Sequence, residues 1–291
     1  MSVITRVSAP VRIDISPCWP DSGRYRKEFG GFLLNGAINR RVATIIEDGR
    51  FITSMEGVPP NSGLGTSAAV RATFLVASNP ALLDQCSLGD LIRKVFVFEN
   101  EVLEQTAGVQ DQAAAFAGGV NLWEFTAGDA VRRNEIPGIS VEHFQERTVL
   151  MYSGEKHQSS AVHRQVFTPR EYDRHVPLFD AMSQLAGEMA QNISNEDRMP
   201  ELMNEARRLH KEPYAGIETD AMRNIAKALE GTYSAWKATG AGGGGCMIFY
   251  TASPDELALK FERVKDRGGV PDDSCVLSFK FDSEGLKVHH L

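Results

Sequence analysis

The sequence predicts an α+β protein of two mixed domains, residues 1–150 and 151–291, packed side by side. Three observations predict it. The first 56 residues are rich in β-forming runs, a helical pattern takes over at Thr66, and the second half alternates helices with short apolar strands. The length of 291 residues agrees, because domains usually hold about 100–200 residues.

In chain order, Val11, Ile13 and Ile15 alternate with polar residues as a strand does, and 32–34, 42–46 and 51–53 are further β-rich runs. Gly30-Gly31 and Asp48-Gly49 mark turns between them. Ala68, Ala69, Ala72, Leu75 and Val76 keep helical spacing, and a second helix spans 88–105 with Ser87 as its cap. Strands follow at 120–125 and 148–152, separated by a loop through Gly128, Pro137 and Gly138 that forms a seam. Beyond it lie helices near 178–194, 198–211, 218–230 and 254–266, and strands at 246–251, 275–282 and 286–290.

Composition excludes several classes of function. A net charge of −7 and a pI near 5.6 lack the basic footprint of a nucleic-acid binder. No apolar run approaches the roughly 20 residues that span a bilayer, and the opening MSVITRVSAPVRIDIS is not a signal peptide. Cys18, Cys86, Cys246 and Cys275 are scattered without metal-ligand spacing, as free thiols of a cytoplasmic protein are.

Four features carry chemistry. The first is the run from Pro59 and Pro60 through Asn61, Ser62, Gly63, Leu64, Gly65, Thr66 and Ser67 into an Ala-rich helix. A helix start offers about four N–H groups without internal partners and roughly half a positive charge. Gly63 and Gly65 let the main chain approach an anion, and Thr66 and Ser67 add hydroxyls, so the loop can cradle phosphate. It is no Walker A loop, because no Lys precedes the Ser/Thr. Taken alone it is equally an ordinary helix-opening turn.

The second feature is Gly240-Ala241-Gly242-Gly243-Gly244-Gly245, set directly before an apolar strand. Close backbone approach to a ligand or to the first glycine loop explains it better than a flexible linker does. The third pairs Glu99, near the buried face of its helix, with Asp111 before a small apolar run. The pair suits one carboxylate on a metal and one beside a hydroxyl; in isolation, a capping Asp and a solvated Glu are the simpler account. The fourth is Ala9-Pro10-Val11-Arg12-Ile13-Asp14, where Arg12 in a strand made for burial calls for an anionic partner unless it lies at a surface edge.

Together, in this order, the motifs resemble the GHMP kinase superfamily, and the likeness extends from Ala9 to the closing Phe279-Lys280-Phe281-Asp282. Glu28-Phe29-Gly30-Gly31 and Gln110-Asp111-Gln112 look most like its heptose-phosphate kinase and fucokinase branch. The resemblance implies a two-domain fold, the first half like ribosomal protein S5 domain 2 and the second ferredoxin-like. It implies ATP and Mg²⁺ as cofactors and transfer of phosphate to the anomeric hydroxyl of a sugar or sugar phosphate.

Carried over by position, residues 60 and 62–67 would hold the ATP phosphates, with Ser67 and Glu99 on Mg²⁺. Asp111 would meet the acceptor hydroxyl as general base, with Arg12 paired to it. Asp21 would bind sugar hydroxyls, Trp19 could stack on a sugar face or pack in the core, and Gly242 and Gly243 would shape the floor. One stretch departs from the family. Where many relatives have Gly-Gly-Gly-x-x-Asp, this chain has Ser16-Pro17-Cys18-Trp19-Pro20-Asp21, which stiffens and fills the acceptor pocket. A kinase of a non-sugar alcohol and a non-catalytic binder of nucleotide or sugar are the competing functions. The implied partner is a small molecule, with no nucleic acid and no membrane, and a homodimer is left open.

Overall fold

The computed structural model describes residues 5–55, 57–127, 130–157, 159–168 and 170–290. Met1 to Ile4 of the expected opening, and Gly128 of the expected seam, lie outside the described residues. The strands are β1 (Thr5–Asp14), β2 (Gly31–Glu47), β3 (Arg50–Ser54), β4 (Val120–Phe125), β5 (Val131–Glu135), β6 (Thr148–Tyr152), β7 (Ala235–Ala238), β8 (Cys246–Tyr250), β9 (Cys275–Leu277) and β10 (Lys287–His290). They form two antiparallel sheets: β10-β1-β2-β4-β5, with β3 also on β2, and β7-β8-β6-β9. The α+β, two-domain architecture expected from the sequence is the one that forms.

The helices are α1 (Gly23–Phe29), α2 (Thr66–Ser78), α3 (Leu82–Gln85), α4 (Leu88–Val97), α5 (Gln110–Ala117), α6 (Gly138–Glu146), α7 (Ser159–Val166), α8 (Tyr172–Gln191), α9 (Arg198–Lys211), α10 (Asp220–Ala228) and α11 (Pro254–Asp266). Among the described residues, none is long and apolar enough to cross a membrane. Ser87 caps α4 as expected, its hydroxyl taking the Asp90 N–H while the Asp90 carboxylate takes the Ser87 N–H.

Burial follows the strand period. In β8, Cys246, Ile248 and Tyr250 join the main core while Met247 and Phe249 join a second cluster under α10 and α11, so the strand is buried on both faces. The second sheet opens at Thr148, two residues before the expected boundary, and β10 crosses back to pair with β1, so the chain's end closes the first sheet.

Several elements differ from expectation. The strand expected over 275–282 stops at Leu277; Phe281 makes only an isolated bridge with Ile38. The helix expected to start near 178 begins at Tyr172 and carries Pro177 within its first turns. The helix expected over 88–105 ends at Val97 and passes into a π-helical turn, Phe98–Val102. The seam holds β5 and α6 rather than a plain loop.

Candidate active site

The site is built where β1 runs out of strand partners. β10 pairs with β1 only through Ser8, and beyond it the two glycine loops take over that edge. The Arg12 N–H donates to the Leu64 carbonyl at 2.9 Å, and the Asp14 N–H donates to Thr239 Oγ1 at 2.8 Å. Leu64 itself is fully buried and serves through its backbone. The loops also grip each other: the Cys246 N–H donates to the Ser62 carbonyl at 2.8 Å. Close approach of one loop to the other is therefore what the second glycine run provides.

Arg12 and Asp14 are two apart on β1 and share a face, which brings their charges together. The Arg12 guanidinium donates from Nε to Asp111 Oδ1 at 2.8 Å and from Nη1 to the Gly63 carbonyl at 2.6 Å, and its Nε lies 3.0 Å from Asp14 Oδ1. Burial works against the guanidinium's charge, but Asp111 and Asp14 overcome it and raise Arg12 above its ordinary value. Asp14 Oδ2 accepts the Gly240 N–H at 2.8 Å, and the Asp14 carbonyl accepts from Lys237 Nζ at 3.0 Å. Lys237 is fully buried, and that desolvation lowers it to about 8.

Asp111 stands at the start of α5, against the first loop. A methyl group on Gly65 would lie 3.1 Å from Asp111 Cγ, and Gly65 takes a left-handed φ of 74° as the cap of α2. Two cavities meet at this carboxylate. The larger, about 470 Å³, is lined by Pro60, Asn61, Ser62, Gly63, Gly65, Thr66 and Ser67. The smaller, about 120 Å³, is lined by Trp19, Asp21, Ser22, Glu99, Gln110 and Ala241 among others. Arg12, Ser67, Arg71, Asp111 and His157 belong to both walls. Ser62 Oγ and Thr66 Oγ1 are buried without a hydrogen-bond partner among the described residues, as donors kept for a bound group would be.

Glu99 lies in the π-helical turn, 2% exposed, with its carboxylate held by Arg71 and Gln112. Burial raises it to about 7 despite Arg71. Asp21, 1% exposed, accepts the Gln110 N–H at 3.1 Å and the Ser22 hydroxyl at 3.2 Å, and burial raises it to about 6. Trp19 is both a packed core residue and part of the smaller cavity's wall. Gly242 and Gly243 sit behind that wall. The Gly243 N–H is spent on the Ile217 carbonyl, the Gly242 carbonyl meets His157 Nδ1, and the neighbour Ala241 lines the cavity. Asp14, Lys237, Arg71, His157 and His163 carried no role in the sequence reading; the signal for Asp14 was its two-residue spacing from Arg12.

Two family models match this chain: the GHMP kinases N terminal domain over residues 33–119 and the GHMP kinases C terminal domain over 189–269, together more than half its length. The chain belongs to the GHMP kinase family. As a GHMP kinase it is a phosphotransferase with an alcohol acceptor. It is similar to the D-glycero-alpha-D-manno-heptose 7-phosphate kinase of Campylobacter jejuni, 26% identical over 79% of this chain and 68% of that protein. It is also 24% identical, over 90% of its own length, to the bifunctional fucokinase/GDP-fucose pyrophosphorylase of Arabidopsis thaliana, of which it spans only 31%. Among solved structures, a D-glycero-D-manno-heptose 1-phosphate kinase from Bacteroides thetaiotaomicron has the same fold, with a TM-score of 0.74, 18% identity and 99% of both chains covered. A Lactococcus lactis galactokinase complexed with galactose shares it at 0.69 and 14%, over 99% of this chain and 95% of that one.

The histidines of this GHMP kinase give a pH prediction. Burial lowers His157 and His163 from 6.5 to about 4, so between those values the unfolded chain binds protons that the folded one refuses. Their contribution to stability is lost as pH falls from 6.5 toward 4. Asp21 and Glu99, raised by burial, act with the opposite sign over much of that window. His163→Phe keeps the stack on Phe167 and removes one titrating group. Urea unfolding should show the variant gaining on the wild type by up to about 1.4 kcal/mol per pH unit below 6.5. A constant difference across that range contradicts the assignment.

Proposed function

We propose that this kinase transfers the γ-phosphate of ATP to a hydroxyl of a sugar or sugar phosphate, the anomeric hydroxyl in particular. One observation carries the reading: Asp111 stands in the wall shared by a glycine-loop cavity and a smaller polar cavity, with Arg12 fixing it there. A triphosphate in the larger cavity meets the start of α2, where backbone N–H groups lack internal partners and the dipole favours anions. An alcohol in the smaller cavity meets Asp111. Phosphoryl transfer has a loose transition state, so the protein chiefly positions groups and offsets charge. Asp111 orients the acceptor hydroxyl and takes its proton as the bond to phosphorus forms. Arg12 holds that carboxylate in place and offsets charge on the transferring group.

Ser67 and Glu99, on the wall of one cavity, are the residues that would hold Mg²⁺. They fit it: the ion prefers hard oxygen donors and takes one or two carboxylates beside substrate phosphates, and this wall offers a hydroxyl and a buried carboxylate that can add the ion while keeping Arg71. When bound, the ion neutralises charge on the β- and γ-phosphates. Sugar kinases among the relatives support the acceptor class, and the resemblance supports the anomeric position. ADP release measured with Mg-ATP across heptoses, fucose, galactose and mevalonate tests the reading. Turnover of a sugar with phosphate on C1 by ³¹P NMR is expected; turnover of mevalonate and of no sugar overturns it.

A further inference from the structure

The smaller cavity is poor in available positive charge and rich in groups that want a hydroxyl. We propose that it selects an uncharged sugar and rejects a sugar phosphate, with Asp21 as the residue that discriminates. This rests on the sugar-kinase reading above and narrows it.

Among the described residues, two guanidinium groups line this cavity, and both are committed. Arg12 is shared between Asp111, Asp14 and the Gly63 carbonyl, and Arg71 between Glu99 and the Gln105 side chain, 2.8 Å away. Both also line the nucleotide side, where the transferred phosphate needs them. The two imidazoles add no charge at neutral pH: burial holds His157 and His163 neutral there, and His157 Nδ1 meets the Gly242 carbonyl at 2.5 Å.

Against this stands a buried carboxylate. Asp21 is fixed by the Gln110 N–H and the Ser22 hydroxyl, and it packs so closely on Gly108 that any side chain there would collide with Oδ2. Ionised above about 6, it offers acceptor lone pairs only. A sugar hydroxyl brings the donor this carboxylate needs. A phosphate dianion brings acceptors and like charge, and like charges brought together in a desolvated site are a strong means of rejecting the wrong partner.

Trp19 completes the wall on the same logic. It holds a φ of 101°, a backbone state that non-glycine residues rarely keep unless the surroundings impose it. Here the surroundings are aromatic: His163 and Phe167 meet its ring edge-on at 5.2 and 5.7 Å, and His210 lies at 5.7 Å. This fixes beside Asp21 a rigid, almost fully buried ring that brings a neutral indole N–H without a partner among the described residues and no positive charge to set against a phosphate dianion.

The test uses the full chain with Mg-ATP and matched acceptors: D-mannose and its 6-phosphate, and D-glycero-D-manno-heptose and its 7-phosphate. The free sugar should exceed its ester in kcat/KM by about 100-fold in each pair that reacts. An ester used equally well or better overturns the proposal while leaving the kinase reading intact. Failure of all four compounds and of the fucose and galactose in the panel above, with Mg-ATP still bound, removes the sugar reading and this proposal together. Asp21→Asn should lower the free-sugar rate far more than the ester rate, narrowing the ratio at least about tenfold; an unchanged ratio overturns the role of Asp21. Should that variant not fold, competition on the wild type decides. Neither ester should inhibit at concentrations that saturate the free sugar, and competitive inhibition at or below that level overturns the proposal.

Discussion

Asp111→Asn is expected to lower kcat by about 10³-fold while the Kd for Mg-ATP changes by less than about threefold. A positioned general base contributes roughly 10²–10⁴ in rate, and the amide keeps the volume against Gly65 while losing the charge and the capacity to take a proton. The variant should stay folded, because Arg12 retains Asp14 at 3.0 Å and the Gly63 carbonyl at 2.6 Å. Single-turnover rates give the chemical step, and ATP titration by calorimetry gives the binding. A fall in kcat without a change in ATP affinity marks a group that acts on the acceptor. Equal losses in rate and ATP binding, or no loss at all, contradict the role assigned to Asp111.

How much of this site was legible before folding depends on how local its causes are. Gly63 and Gly65 could be read directly, because a left-handed backbone before a helix is a demand that a few neighbouring residues express. The meeting of Arg12 with Asp111 came through resemblance, since nothing in either segment alone implies a partner 99 residues away. Asp14 illustrates what stayed hidden. Its spacing from Arg12 was visible, but its bond to the Gly240 N–H spans 226 residues and exists only once both sheets are in place. Glu99 was expected on a regular helix over 88–105. The Leu103 N–H instead reaches the Phe98 carbonyl, an i→i+5 turn that a 3.6-residue pattern cannot reveal, and such turns often mark functional positions. Short elements such as β5, with Arg132, Arg133 and Glu135, lacked the apolar alternation that announces a half-buried strand.

The interlocking of the two glycine loops makes Gly240→Ala the other large expected effect. Gly240 has a φ of 72°, where an L-residue with a Cβ costs about 1–2 kcal/mol. Gly49→Ala supplies the control: its φ is 74°, and a methyl group there meets nothing within 4 Å. At Gly240 the same methyl would lie 2.5 Å from the Gly63 carbonyl oxygen and 3.3 Å from Gly63 Cα, both main-chain atoms with no rotamer to yield. One loop must move off the other. That displaces the Gly240 N–H from Asp14 and the Gly63 carbonyl from Arg12, so the strain reaches the group that holds Asp111. Urea unfolding should show Gly49→Ala losing about 1 kcal/mol and Gly240→Ala about 3 kcal/mol or more. Mg-ATP affinity should fall at least about tenfold in Gly240→Ala and stay unchanged in Gly49→Ala. If the two variants behave alike in both measurements, the loops do not depend on each other, and the first glycine loop does not need the second to hold its shape.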